Sequence, residues 1–165
     1  MYHTDGVSKC QGCKSQNRIA VGCPFITCAV KKKGVEFCWD CNESDQCERW
    51  KKHRDSGRKA DSFKCYQKLE DDINFIRRNG IKEFEKEQLY REQLLKDMLN
   101  KFNEGRSKSY YCIAATVLEI NELEEALNRA KEVSAELTIK EKSKLLHSII
   151  DEIAQQKNYH LKLRK

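Results

Sequence analysis

Apolar residues recur along the chain from residue 61 onward. In most segments they lie three or four residues apart, which is the spacing of one buried helix face. The segments are 61–78, 81–102, 110–118, 121–137 and 138–153. Asn79-Gly80 and Gly105 fall between segments, where glycine commonly ends a helix. The pattern predicts a protein that is mainly α-helical.

Residues that can cap a helix mark the expected starts of several segments. They are Asp61 or Ser62, Ser107 or Ser109, Asn121 with Glu124, and Thr138 with Glu141. The last two pairs have the spacing of capping boxes. We expect the last two helices to form an antiparallel hairpin that packs on the rest of the chain or on a second copy. The protein would then be a monomer or a homodimer through its C-terminal helices.

The first 60 residues lack this regular pattern. Pro24 is the only proline of the chain. Proline suits the first position of a helix, so we expect Cys23 to cap a helix that runs to Lys33 and stops at the following glycine. The expected architecture is a small cysteine-rich metal-binding module over residues 1–59. A helical domain over residues 60–165 follows and ends in the helical hairpin.

Seven of the nine cysteines lie within 38 residues. Two pairs have the C-x-x-C spacing, which lets two thiolates from one tight turn bind one tetrahedral metal ion. The seven candidate ligands are Cys10, Cys13, Cys23, Cys28, Cys38, Cys41 and Cys47. No secretory signal is visible, so we expect a reducing cytoplasm, where clustered cysteines more often bind metal than form disulfides. Zinc is the expected ion, and an iron–sulfur cluster is the alternative.

Three schemes can assign these cysteines to metal ions. In an α-helix Cys23 and Cys28 would point about 140° apart, which disfavours one ion for both. The favoured scheme uses Cys28, Cys38, Cys41 and Cys47 for one ion, and Cys10, Cys13 and Cys23 with His3, water or another cysteine for a second. A second scheme places Cys10, Cys13, Cys23 and Cys28 on one ion and leaves Cys38, Cys41 and Cys47 incomplete. A third joins the two C-x-x-C pairs on a single ion.

Positive charge is concentrated in the part of the chain that holds the cysteines. Residues 1–60 contain 12 Lys and Arg against 7 Asp and Glu, whereas residues 61–165 contain 20 against 19. A zinc ion with four thiolates carries a charge of about −2, so one or two such sites would absorb most of the excess. The other interpretation is a surface for nucleic acid or another polyanion.

The main candidate for such a surface follows Cys47. Ser44 or Asp45 can start a helix that carries Trp50, and residues 55–57 should break it. The basic residues of this segment are Lys51, Lys52, Arg54, Arg58 and Lys59. They can contact phosphates with the help of Trp50, or they can be a solvated helix face followed by a linker.

A second basic stretch lies at the expected helix start near Ser107. Free backbone N–H groups beside Arg106 and Lys108 could bind a phosphate or carboxylate there. A plain connection between two helices also explains the stretch, so both interpretations stay open.

The other residue types give little support for catalysis or a membrane span. No Ser/His/Asp set, paired carboxylates or His-Glu zincin motif is visible, and no run of 18 apolar residues occurs. Cys65 and Cys112 lie in apolar helical segments and are expected to pack there. His147 and His160 are expected on the surface.

The cysteine region resembles a family of cysteine-rich prokaryotic proteins. Cys10-Gln-Gly-Cys13 is similar to the C-x-G-C knuckle of domain-of-unknown-function family 3795. The stretch Cys28-Ala-Val-Lys-Lys-Lys-Gly-Val-Glu-Phe-Cys38-x-x-Cys41, with Cys47 following, is similar to the motif that follows in that family. The resemblance covers roughly residues 10–118. It implies a metal-binding protein of unassigned role.

Together these patterns predict a structural zinc protein that acts as a non-catalytic adaptor or regulatory binding module, whose partner could be a protein or a nucleic acid. Nucleic-acid binding through the basic face at residues 49–59 is one alternative. An iron–sulfur or redox protein is the other.

Overall fold

The structure is a computed structural model, and it describes residues 22–59 and 68–161. All regular elements in these two ranges are helical, which confirms the prediction of a mainly α protein. The α-helices are α1 (Glu48–Lys59), α2 (Leu69–Asn79), α3 (Ile81–Phe102), α4 (Lys108–Val117), α5 (Ile120–Val133) and α6 (Ile139–Gln156). The chain divides into two compact units, the N-terminal unit Met1–His53 and the helical unit Arg54–Lys165.

Helical structure begins at Pro24 as expected, but its type differs from the prediction. It continues as a π-helix over Ile26–Lys32, in which hydrogen bonds join residues five apart. The backbone N–H of Lys33 bonds to the carbonyl of Cys28 at 3.1 Å and closes the π-helix. The expected angle between Cys23 and Cys28 assumed a regular α-helix, and that assumption is wrong in the π-helical part.

Two short 3-10 turns, Cys38–Asp40 and Ser44–Gln46, precede α1. The second turn occupies the position at Ser44 or Asp45 where α1 was expected to start. Cys47 follows this turn, and its carbonyl accepts a hydrogen bond of 2.9 Å from the backbone N–H of Lys51. Cys47 therefore lies immediately before α1.

The predicted break at residues 55–57 is wrong, because α1 continues to Lys59. Asp55 and Arg58 form an ion pair of 3.1 Å across this stretch, one helical turn apart. Basic residues in the last turn also interact favourably with the negative end of the helix dipole. These two effects offset the helix-breaking tendency of Gly57.

Helices α2 and α3 meet at Gly80, as the sequence predicts. The φ angle of Gly80 is 84°, a conformation that glycine adopts without the steric cost of a Cβ atom. The predicted bounds of α3, residues 81–102, are confirmed. The predicted start of α2 at Asp61 or Ser62, and the packing of Cys65, lie outside the described residues.

The two capping boxes differ in outcome. The box at Thr138 and Glu141 is confirmed, with Glu141 accepting from the backbone N–H of Thr138 at 2.9 Å. For α5 the box is formed by Glu119 and Glu122, not by Asn121 and Glu124. The reason is that Glu119 has the extended backbone of an N-cap, so the helix starts earlier than predicted.

The core of the helical unit is contributed by α3, α4, α5 and α6 and the residues between them. Its most deeply buried large side chains are Met98, Phe102, Tyr111, Val117, Leu118, Leu123, Leu127, Leu146 and Ile150. The hydroxyl of Tyr111 donates to the carbonyl of Phe102 at 3.1 Å, so its one polar atom is satisfied. Cys112 is half-buried and packs against this core. Among the described helices, none combines the length and apolar character needed to cross a membrane.

Candidate metal centre

Five cysteines of the N-terminal unit are half-buried thiols: Cys23, Cys28, Cys38, Cys41 and Cys47. Cys23 precedes the helical turn at Pro24, Cys28 lies in the π-helix, and Cys47 precedes α1. Cys38 begins a 3-10 turn, and the backbone N–H of Cys41 closes it by bonding to the Cys38 carbonyl at 3.2 Å. Cys28 and Cys38 therefore lie within helical elements, and the other three thiols lie directly beside one.

The thiols influence one another electrostatically. Burial raises the pKa of the Cys38 thiol, and the thiols of Cys47, Cys28, Cys41 and Cys23 raise it further, in that order. Because such interactions weaken with distance, these four thiols lie in the neighbourhood of Cys38. Loss of the Cys38 proton is therefore unfavourable here, and a cation among the thiols would oppose that effect.

A lysine lies beside the same thiols. Lys33, at the end of the π-helix, forms an ion pair with Glu43 between the second C-x-x-C pair and Cys47. Its hydrogen bond to Glu43 raises the pKa of Lys33, and the thiols of Cys41 and Cys28 also raise it. The Lys33–Glu43 pair thus connects the segments that carry Cys28 and Cys41.

The donor chemistry of this cluster fits zinc or an iron–sulfur cluster, since thiolates bind both. The arrangement is looser than a formed site: within residues 22–59 and 68–161, no three Cys, His, Asp or Glu side chains are arranged to hold one ion. A bound ion would have to draw the thiols inward. Cys10, Cys13 and His3 lie outside the described residues.

Aromatic rings form a small core in the same unit. Trp50 is 7% exposed, and its ring centroid lies 6.4 Å from those of both Phe25 and Trp39. Phe37 stacks on Trp39 with centroids 4.5 Å apart, and His53 lies 5.7 Å from Trp50. Trp39 sits between Cys38 and Cys41 in the sequence, so this core adjoins the thiols.

The basic residues of α1 differ in how free they are to contact a phosphate. Lys51, Lys52 and Lys59 are exposed, whereas Arg54 makes two hydrogen bonds of 2.6 Å to Glu70. Arg58 pairs with Asp55 and lies 3.6 Å from Glu70. The expected help of Trp50 in nucleic-acid binding stays a prediction, and the burial of its ring in the aromatic core opposes it.

The helix start near Ser107 already holds an anion of the chain itself. The Glu104 carboxylate accepts hydrogen bonds from the hydroxyls of Ser107 at 2.6 Å and Ser143 at 2.5 Å. These bonds, together with backbone N–H groups, lower the pKa of Glu104 to about 2. Arg106 and Lys108 are exposed on either side. The predicted binding of an external anion there stays a prediction, and the Glu104 charge opposes it.

His147 belongs to this polar network and is half-buried, so it is more enclosed than the surface residue that the sequence suggested. Its Nε2 atom is 2.8 Å from the Ser107 hydroxyl oxygen, and its ring stacks on Tyr110 with centroids 3.9 Å apart. Because Ser107 donates to Glu104, Nε2 of His147 is the donor in this contact. Ser107 and His147 are 40 residues apart, so no local pattern could reveal the pair. His160 is exposed, as predicted.

The comparisons with known proteins bear on the cysteine region. Residues 2–52 match the model of a family described as "Protein of unknown function (DUF3795)". No curated protein and no solved structure matches the chain significantly. The match ends at residue 52, so the resemblance predicted beyond that residue lies outside it. Over residues 2–52, which include all seven candidate metal ligands, the predicted resemblance to domain-of-unknown-function family 3795 is confirmed.

Proposed function

We propose that the N-terminal unit binds a structural metal ion through cysteine thiolates, zinc in the first place, and that the protein acts as a non-catalytic adaptor or regulatory binding module. The observation that carries the proposal is the presence of five half-buried, unoxidised thiols in one small unit, at Cys23, Cys28, Cys38, Cys41 and Cys47. Protein thiolates in such numbers commonly serve as ligands of zinc.

The ligand set that we propose is Cys28, Cys38, Cys41 and Cys47, as in the favoured scheme. These four cysteines lie in the π-helix, at the two ends of one 3-10 turn and immediately before α1, and together they supply the four thiolates of a closed zinc site. Lys33 is influenced by two members of the same set, Cys28 and Cys41. Cys23 then belongs with Cys10 and Cys13, as in the favoured scheme.

A structural role follows from the small size of the core in this unit. The buried apolar side chains in its described part are those of Ile26, Ala29 and Trp50. A core this small contributes little to folding on its own, and small domains of this kind depend on metals or disulfides. Structural zinc contributes about 10 kcal/mol or more to the folding of such modules. Four protein thiolates also close the coordination sphere, which leaves no open position for catalysis.

Two contacts support the antiparallel hairpin expected at the C-terminus. Arg129 of α5 pairs with Glu152 of α6 at 2.6 Å. Glu122, earlier in α5, accepts from the hydroxyl of Tyr159, beyond the end of α6, at 3.3 Å. Earlier residues of α5 therefore meet later residues of the final segment, and we infer that the two helices run in opposite directions.

Metal analysis of variants tests the proposal. Protein purified without added metal should hold at least about one equivalent of zinc per chain, as a four-thiolate site requires. Serine substitution at Cys28, Cys38, Cys41 or Cys47 should remove this equivalent. In the favoured scheme, Cys23→Ser should keep the zinc that Cys28→Ser removes. In the second scheme Cys23 and Cys28 bind the same ion, so both substitutions should remove the same equivalent of zinc.

Cys112→Ser is the matched control, because Cys112 is also half-buried but lies in the helical unit. It should leave the metal content unchanged. Less than about half an equivalent of any metal in the unsubstituted protein would contradict the proposal. If the protein, prepared without oxygen, is coloured and contains iron, the bound group is an iron–sulfur cluster and not zinc.

Nucleic-acid binding is a second candidate, and the exposure of Lys51, Lys52 and Lys59 on α1 favours it. Binding by these residues should weaken steeply as salt increases, because each phosphate contact releases counterions. Replacement of all three by glutamine should reduce affinity for DNA or RNA at low salt. Absence of any binding to either at low salt excludes this candidate.

A further inference from the structure

A groove of about 1080 Å³ runs along one face of α6 in the helical unit. Lys140, Lys144, His147, Asp151 and Gln155 line it. Their spacing of three or four residues places them on one stripe of the helix. From Lys140 to Gln155 this stripe is about 22 Å long.

The charges of the groove are separated along its length. Lys140 and Lys144 lie toward the start of α6, and Arg106 also lines the groove. The Glu104 carboxylate, which accepts hydrogen bonds from Ser107 and Ser143, lies there too, so three cations stand against one carboxylate at this end. Asp151 and Glu152 lie toward the end of α6. A polyanion such as nucleic acid would meet these carboxylates. An apolar peptide would find little to bury against, because Ile139 is the only aliphatic side chain among the described residues that line the groove.

We propose that a second copy of this chain occupies the groove, with its α6 antiparallel to the first. This orientation places Lys140 and Lys144 of each copy opposite Glu152 and Asp151 of the other. His147 lies near the middle of the stripe, where the two-fold axis would pass. An interface of this kind uses the same patch twice, as two-fold symmetry requires.

Intramolecular contacts hold the acidic end in place. The Tyr110 hydroxyl donates to Asp151 at 2.6 Å, and Arg129 pairs with Glu152 at 2.6 Å. Both carboxylates remain exposed. Side chains that intramolecular contacts already order lose less conformational entropy on association, so these contacts preorganise the surface for a partner.

The dimer does not depend on the proposed metal. All of its residues belong to the helical unit Arg54–Lys165, whereas the candidate ligands belong to the N-terminal unit. Metal content and dimerisation can therefore fail independently, and each is measured separately.

Sedimentation equilibrium of the full chain tests the dimer. The monomer has a mass of 19.4 kDa, and a species of twice that mass is expected in about 0.01 M salt. In about 1 M salt the charge pairs are screened, and the monomer should predominate. If the protein is a monomer at every salt concentration, even at about 1 mM protein, the proposal is overturned. A dimer with a dissociation constant below about 1 mM would be detected at that protein concentration.

Charge reversal identifies the surface. Lys140→Glu with Lys144→Glu should raise the dimer dissociation constant at least about tenfold. Lys82→Glu with Lys86→Glu on α3 makes the same change in net charge at exposed positions outside the groove and should have no such effect. Equal effects of the two double variants, or a dimer that neither of them weakens, overturn the proposed surface.

A mixing experiment tests the antiparallel orientation. Asp151→Lys should also prevent self-association, because two lysines would then face each other. An equimolar mixture of Asp151→Lys with a Lys144→Glu single variant should form a heterodimer with complementary pairs on both sides, because position 151 of one copy faces position 144 of the other. Circular dichroism confirms that each variant is folded. Failure of two folded variants to pair in the mixture overturns the antiparallel arrangement, and if Asp151→Lys does not fold, the Lys140 and Lys144 comparison alone decides the surface.

Discussion

Arg54 binds Glu70 through two parallel hydrogen bonds, each 2.6 Å long. The pair joins the later part of α1 to the first turn of α2 across a segment outside the described residues. A bidentate arginine–carboxylate pair is more favourable than a single ion contact. The hydrogen bonds from Arg54 also lower the pKa of Glu70 below its ordinary value of 4.5.

Removal of this pair should lower the free energy of unfolding. We expect Glu70→Gln to cost about 1 kcal/mol, a small value because both side chains are partly exposed to solvent. A lowered folded-state pKa gives stability that is present above pH 4.5 and lost as the pH falls through the folded-state value. Urea denaturation measures both effects. Asp71→Asn, an exposed neighbour in the same helix turn, is the control, and an equal loss from it would contradict a specific role for Glu70.

Arg91 should be more important for stability than Arg54. It is buried, and its guanidinium donates to the carbonyls of Ala115, at 2.7 Å, and Leu118 near the end of α4. Arg91→Met would leave both carbonyls without this donor. We expect a loss of about 2–4 kcal/mol in the free energy of unfolding, because unsatisfied buried polar groups are costly.

Arg129→Met serves as the comparison for Arg91. Arg129 pairs with Glu125 and Glu152 on the surface, and such pairs contribute at most about 1 kcal/mol. Urea denaturation of the two variants at one pH gives the comparison. A loss for Arg91→Met no larger than that for Arg129→Met would show that the Arg91 contacts are not needed for stability.

The sequence predicts those parts of the fold that depend on local signals. The bounds of α3 and its separation from α2 follow from helical spacing and from Gly80, whose backbone conformation suits glycine. The capping box at Thr138 also follows, because its two members are three residues apart. The π-helix after Phe25 does not follow, since apolar spacing and caps do not distinguish i+4 from i+5 hydrogen bonding.

The cysteine cluster and the polar network around Glu104 also differ in how far local sequence signals predict them. The C-x-x-C spacing identifies the cysteines of the N-terminal unit, because ligands in one turn are close in sequence. The network of Glu104, Ser107, Ser143 and His147 could not be predicted, since tertiary packing brings α6 to the loop before α4. Trp50 shows a further limit: its position in a basic segment suggested a part in nucleic-acid contacts, but the ring is buried among other aromatic side chains.

His147 should make stability depend on pH. Burial lowers the pKa of His147 below its ordinary value of 6.5, and it outweighs the opposite effects of Asp151 and Glu104. The unfolded chain therefore takes up the proton at higher pH than the folded protein. Stability should fall as the pH drops through 6.5 toward the folded-state value, with a slope below about 1.4 kcal/mol per pH unit for one proton.

Urea denaturation between about pH 8 and pH 5 measures this slope, a range that contains the ordinary histidine pKa. His147→Gln should flatten the dependence, because glutamine does not titrate. His160→Gln should not, because His160 is exposed. Unchanged slopes in His147→Gln would show that another group is responsible for the pH dependence.

Removal of metal should change the N-terminal unit and leave the helical unit folded. Both tryptophans of the chain, Trp39 and Trp50, lie in the N-terminal unit, so tryptophan fluorescence reports on that unit alone. Treatment with a chelator should alter this fluorescence and expose the unit to protease, because the small aromatic core is not enough to hold it. The far-ultraviolet circular dichroism of α3 to α6 should largely remain, since their core is formed by apolar burial within the helical unit.

Addition of zinc after chelation should restore the original fluorescence, which separates metal loss from irreversible damage. Cys38→Ser should resemble the chelated protein without any treatment, because Cys38 belongs to the proposed set of four thiolate ligands. Cys112→Ser should respond to chelator and zinc as the unsubstituted protein does. Fluorescence and protease resistance that do not change on chelation would show that the N-terminal unit holds its shape without metal, and the thiols would then need another explanation.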